Sequence, residues 1–268
     1  VASIGHTVLV LMPWNDPIPL TRAWCIWEIL CTIDDGAAKL DIQLPAREQK
    51  AFADFLVRKG SGSVVEAMLK LDVERAEAWK PEDRDNILAA VRQYPGGASE
   101  VNKRVKDQMR SWLVEAAKAS LDGLSGESRA TSKLLMDVAD LLEDQGKYAE
   151  AEPLYREALD GRRRELGDAH PNTLASINNL AGLLHEQGKY AEAEPLYREA
   201  LEGKRRELGD AHPDTLNSIN NVAVLLKDQG KHAEAEPLYR EALDGRRREL
   251  GDAHPSTLGS INNLASLL

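Results

Sequence analysis

The sequence predicts a mainly α protein: an α-α superhelical solenoid in the C-terminal half, behind a small partial α/β segment and a helical connector. Three observations lead there. One block is written three times at a fixed period, with Gly146, Gly188 and Gly230 standing 42 residues apart. Inside each block, apolar residues recur at spacings of three and four, the mark of a helix with one buried stripe. Near the start stands HTVLVLM, residues 6–12, a continuous apolar run of strand formers. A fixed period of this length marks a solenoid, because one unit buries its apolar face only against the next.

Each unit carries two helices. In the first, Leu174, Ile177, Leu180, Ala181 and Leu184 form one seam, and Gln187-Gly188-Lys189 ends it, glycine serving as the helix stop. The second is predicted from about Tyr190 to Leu208, packing through Ala193, Leu196, Tyr197, Ala200 and Leu201. Pro195 falls near its start, where a missing N–H costs least. Gly209 and Pro213 close the unit. Asn172, Asp214 and Ser256, three different residues of helix-capping type, stand at the start of the following helix.

With Leu180, Ala181, Leu184, Gly188, Tyr190, Ala193, Tyr197 and Ala200 at signature positions, residues 131–268 resemble the tetratricopeptide (TPR) repeat. The 42-residue period, with LGxxHPxTL and NNLA, is similar to the kinesin light chain variety. That resemblance implies a protein-interaction scaffold or adaptor that takes an extended peptide or a partner helix in its concave groove. Its narrower form is the cargo adaptor subunit of a kinesin microtubule motor, although no heptad coiled coil for a heavy chain is legible upstream.

A helical wheel puts Asn179 opposite the seam, and Asn221 and Asn263 repeat the placement. An amide both donates and accepts, so a ladder of amides suits the main chain of an extended peptide. In the TPR family this inner-groove position commonly does that work, and the resemblance implies it for these three residues. The alternative is that each ties neighbouring helices together. Asn178, Asn220 and Asn262 flank the groove and are open to the structural role, while Asp137 interrupts the ladder in the first unit.

The basic runs Arg162 to Arg164, Lys204 to Arg206 and Arg246 to Arg248 lie toward the ends of the second helices. There the helix dipole favours cations and Glu157, Glu165 and Glu199 offer pairing, so they read as solvated structural charge. His170, His212 and His254 occur once per unit in the DAHP turns, with no second ligand type at a zinc spacing, and read as turn residues.

At the other end, HTVLVLM predicts a strand buried on both faces of a parallel sheet. The loop PWNDPIP, a helix from about Leu20 to Asp34, and a second strand at 39–45 follow. Loops after the carboxyl ends of such strands form ligand crevices, which places Trp14 to Pro19 where a site would lie. On the wheel a wide apolar arc runs from Ile29 to Trp24, and Glu28 falls beside it on a narrow strip with Thr32, Thr21 and Cys25. That position suits a carboxylate half covered by an indole, and equally a surface charge.

The stretch RAWCIWEI, residues 22–29, resembles the helix motif of Toll/interleukin-1 receptor (TIR) domains. In the members that cleave NAD, this helix carries the catalytic glutamate. The resemblance implies a TIR-like segment over residues 1–45, Glu28 as the catalytic candidate, and NAD as a substrate rather than a cofactor. A further reading is then an NAD-cleaving signalling protein whose array controls assembly.

Between these parts, residues 46–121 read as a helical connector, broken at GSGS, KPED and YPGG, and residues 122–130 as a linker. No phosphate loop, metal motif or nucleophile triad appears there. With 34 Lys and Arg against 44 Asp and Glu the net charge is −10, which argues against nucleic acid or an anionic membrane as partner. The longest apolar run is too short to cross a bilayer, and the expected setting is cytoplasmic, with protein or peptide partners and no cofactor. Cys25 and Cys31 point about 120° apart on one helix and read as reduced thiols. Val1 at the start and the unfinished SINNLASLL at the end read as cuts in a longer protein, exposing Leu264 and Leu267 to self-association.

Overall fold

The structure, a computed structural model, describes residues 6–14, 18–36 and 38–267. Two compact units divide the chain: Val1–Ser125 with Ser132–Leu141, and Gly126–Thr131 with Leu142–Leu268.

In the first unit HTVLV forms β1 (His6–Val10), which pairs in parallel with β2 (Lys39–Gln43), Thr7 opposite Leu40 and Leu9 opposite Ile42. The helix between them, α1 (Ala23–Asp34), covers the Thr7 side, and Thr7 Oγ1 lies 2.7 Å from Thr32 Oγ1. The expected burial on both faces is not found. Leu9 is buried, but Val8 and Val10 are 49% and 46% exposed. Strand side chains alternate, and among the described residues only one face of the sheet carries a layer.

The helix also begins later than Leu20. A 3-10 turn occupies Ile18–Thr21, and Thr21 and Ala23 then exchange backbone hydrogen bonds with Glu77, each 2.9 Å. The chain is held extended at Arg22 by this parallel bridge, so helical turns start only afterwards. The apolar arc of α1 is narrower than the wheel suggests. Ile26, Ile29 and Leu30 are buried, but Trp24 is 46% exposed and Thr32, drawn in by Thr7, is buried instead. Of the expected ligand loop, Asn15, Asp16 and Pro17 lie outside the described residues. Trp14 packs on Phe52 and Phe55, with ring centroids 5.2 and 4.6 Å away.

Four helices complete most of this unit: α2 (Ala46–Lys59), α3 (Gly62–Leu69), α4 (Pro81–Gln93) and α5 (Gly97–Asp122). Pro81 starts α4, and Gly96 precedes α5 at φ +84°, a backbone state that glycine adopts without a Cβ penalty. The long α5 organises the core, since Val101, Val105, Met109, Leu113, Ala117 and Leu121 make one buried stripe against α1 to α4. Leu134, Leu135, Val138 and Ala139, from the Ser132–Leu141 stretch of α7 (Lys133–Asp144), are fully buried.

The second unit is the solenoid. A short helix, α6 (Gly126–Ala130), forms within the expected linker. After it come α8 (Tyr148–Leu166), α9 (Pro171–Glu186), α10 (Tyr190–Leu208), α11 (Pro213–Asp228), α12 (His232–Leu250) and α13 (Pro255–Ala265), each packed on the next. The expected seam is the core: Leu174, Ile177, Leu180, Ala181 and Leu184 are at most 2% exposed. Burying each large member contributes about 1.5–3 kcal/mol. The second helix runs from Tyr190 to Leu208 as expected, with Pro195 inside it.

One packing device was not read from the sequence. Gly203 and Gly245 sit in the second helices where a Cβ would come closer than 3.0 Å to Leu174 Cδ2 and Leu216 Cδ2, and Gly161 stands equally close to the Ala130 Cβ. Their lack of a side chain sets the spacing of paired helices.

Candidate functional site

Within the second unit the first helices of the repeats, α9, α11 and α13, all begin in the same way. Proline occupies the first turn, and the N-cap is the histidine of the DAHP turn. His170, His212 and His254 each accept through Nδ1 from the backbone N–H of Asn172, Asp214 and Ser256, at 3.1 Å in all three cases. This corrects the sequence reading, which gave the capping role to the latter three. Proline has no N–H, so the orphan donor sits one residue later and the histidine two residues before it is within reach.

The basic runs are also not simply solvated. Their first members turn inward between helices: Arg162 donates to Ser176 Oγ at 2.6 Å, Lys204 to Ser218 Oγ at 2.9 Å and Arg246 to Ser260 Oγ at 2.5 Å. Arg246 is only 8% exposed, and burial draws its pKa down, as it does that of Lys204. Their second members link repeats, Arg163 to Glu199 and Arg205 to Glu241, both at 2.5 Å. Ser176, Ser218 and Ser260 recur at the period but carry no distinctive motif, so only the packed helices show that they meet these cations.

A second inter-repeat link joins turn to helix. Glu152 receives hydrogen bonds from Lys189, Arg156 and Gln187, and Glu194 from Gln229, Arg198 and Lys231. These donors hold both carboxyls far below the usual 4.5, at about 2.

The asparagines divide into two kinds. Asn221 Nδ2 donates to Asn178 Oδ1 at 3.1 Å, and Asn263 Nδ2 to Asn220 Oδ1 at 2.9 Å. Neighbouring first helices are therefore stapled by amide pairs, each of which uses one donor and one acceptor. Asn179 is half-buried and among the described residues its amide makes no protein hydrogen bond; Asn262 is exposed. In the first repeat Asp137 is committed elsewhere, accepting from the Ser61 backbone at 2.6 Å.

Beside Asn179 the helices leave a cavity of about 170 Å³, lined by Ala175, Asn178, Asn179, Lys204, Glu207 and Asp214, with Leu174, Leu208 and Pro171 as its apolar wall. Its origin is a difference between repeats. At the matching place in the next unit, Arg246 donates both to Ser260 and to Asn217 Oδ1 at 2.7 Å. Here the corresponding residues are the shorter Lys204 and Ala175, and the space stays open.

Glu28, in the first unit, is exposed on α1, and among the described residues its side chain makes no hydrogen bond or ion pair. Its charge, after burial, pushes the Cys25 thiol up, and both cysteines are free. Among the described residues, no cluster of three His, Cys, Asp or Glu could hold a metal, and no helix is long and apolar enough to cross a membrane.

Stacked helix pairs of one period, joined by amide pairs between their first helices, define an α-α repeat protein of the interaction-scaffold class. The family model for the tetratricopeptide repeat matches residues 130–206, 175–248 and 214–268, together just over half of the chain, and the chain belongs to that family. Comparison with curated proteins finds no match. Among solved structures, the chain is similar to a variant form of a candidate kinesin light chain from Podosopora anserina with nearly identical TPR-like repeats. Identity is 25%, over 61% of this chain and 80% of that one, with a TM-score of 0.54. The parent form of that protein matches at 23% identity over 71% and 87%, TM-score 0.53. BtubC (BKLC) from P. vanneervenii shares the fold at 21% identity, covering 82% of each chain, TM-score 0.51.

Proposed function

We propose that the array binds an extended segment of a partner protein along its groove, with Asn178, Asn179 and Lys204 as the first contacts. The observation that carries this reading is the cavity beside Asn179. It offers donors in the Lys204 ammonium and the amides, and acceptors in Asn179, Glu207 and Asp214. A peptide group needs both, an acceptor for its N–H and a donor for its carbonyl, and the cavity supplies the two side by side. Asn221 and Asn263 serve chiefly as staples between repeats in this reading. The scaffold works in the cytoplasm and without a cofactor.

The test uses peptides selected on the wild-type chain from a displayed library. Asn179→Ala combined with Lys204→Met weakens them at least tenfold at a temperature where the variant, although short of the hydrogen bond from Lys204 to Ser218, is still folded by circular dichroism. Equal affinity in that double variant removes the groove reading.

The likeness to a candidate kinesin light chain supports a narrower version, in which the scaffold is the cargo adaptor of a microtubule motor. Co-sedimentation with a kinesin heavy-chain coiled coil checks it, and absence of binding leaves the general scaffold alone.

A further inference from the structure

A second cavity, of about 370 Å³, lies in the first unit at the carboxyl end of β2, against α2 and α5. Crevices at the carboxyl ends of parallel strands are where α/β units hold ligands, and this volume falls in the range of small-molecule sites. None of the side chains lining it is ionisable. Phe52 and Trp112 form one wall, their rings stacked at 5.6 Å with planes 20° apart, and Ala53, Ala116 and Ala119 leave room beside them.

The polar groups in the lining are partly committed, and acceptors remain among them. Trp112 Nε1 donates to Ile42 O at 3.0 Å, so the indole offers a face and no donor. Gln49 Nε2 donates one N–H to Leu44 O at 3.0 Å, which leaves its second N–H and its carbonyl oxygen, the latter as an acceptor. Ser120 Oγ donates to Ala116 O at 2.9 Å, and its oxygen likewise accepts.

We propose that this cavity is a binding site for an uncharged, flat heteroaromatic molecule that stacks beside Trp112 and donates one N–H or O–H to Gln49 or Ser120. Charge is disfavoured by the lining, because an anion or cation there finds no counter-charge and gives up part of its hydration. The aromatic wall selects a flat ring system.

Indole serves as the probe, read by NMR of the wild-type chain carrying ¹³C-labelled alanine methyls. The Ala53, Ala116 and Ala119 methyls shift together and saturably, and benzoate, similar in size but charged, binds at least tenfold more weakly. Ala116→Leu, with its circular dichroism unchanged, abolishes the indole-dependent shifts at Ala53 and Ala119. No saturable shift in the wild type, shifts confined to other alanines, or equal binding of benzoate overturns the proposal, and none of these needs the variant to fold.

Discussion

Asp137 Oδ2 accepts the backbone N–H of Ser61 at 2.6 Å, and Lys133 Nζ closes on the same oxygen at 3.2 Å. Asp137 stands where later repeats carry asparagine, so in the first repeat that position is spent on anchoring the turn between α2 and α3. Ser61 is 2% exposed, and Asp137→Ala leaves its N–H buried without an acceptor. The expected loss is about 1–3 kcal/mol in denaturant unfolding. Gly60→Ala is predicted to be worse tolerated, since φ there is +78° and a Cβ would come closer than 3.0 Å to the same carboxylate.

Lys204→Arg is predicted to move stability and binding in opposite directions. The guanidinium would reach Ser218 Oγ and the Asp214 carbonyl, as Arg162 reaches Ser176 Oγ and the Asn172 carbonyl one repeat earlier. One added hydrogen bond is worth about 0.5–1.5 kcal/mol, while the cavity beside Asn179 closes and selected peptides lose affinity. Titration calorimetry and thermal unfolding on the same variant check both signs.

His212→Ala removes the cap of α11 and is predicted to cost about 0.5–2 kcal/mol. Asparagine is a strong N-cap, so His212→Asn recovers most of the loss. An alanine variant as stable as wild type would show that the proline turn alone starts the helix.

The carboxyls of Glu152 and Glu194 titrate at about 2 when folded against 4.5 ordinarily, so their contribution is fully present above pH 4.5. It is lost as pH falls from 4.5 through about 2, because the unfolded chain then binds protons that the folded one refuses. Thermal unfolding followed from neutral pH downward should show the wild type falling more steeply in that window than Glu152→Gln with Glu194→Gln. Parallel curves would assign the acid loss to other groups.

Gly161→Ala and Gly203→Ala are predicted to differ. At Gly203 the new methyl meets the tip of the Leu174 side chain, which must shift within the core, a cost that the helix propensity of alanine offsets by about 1 kcal/mol. At Gly161 it meets the Cβ and backbone of Ala130, which cannot turn aside. Overpacking there costs about 1–3 kcal/mol, seen as a lower midpoint for the Gly161 variant than for the Gly203 variant.

Much of the array was legible because its signals are local and repeated. The seam Leu174 to Leu184, the stop at Gly188 and the span of α10 follow from periodicity and backbone chemistry. The site was legible only in part. The asparagines were found by their wheel position, but Asn221 and Asn179 look identical on a wheel, and only the neighbouring helix makes one a staple and leaves the other unpaired. Lys204 was hidden inside a basic run, where sequence shows charge and not direction.

By itself, then, the sequence determined the helices of the array, their stops and the face each one buries, since these depend on residues within a turn or two of one another. Tertiary structure decided what no local signal encodes: that Asn221 is stapled to Asn178, that the sheet is covered on one side, that Asp137 anchors a distant turn. Those outcomes depend on atoms brought into contact across long stretches of chain, where an arginine-to-lysine difference between repeats helps to open a cavity.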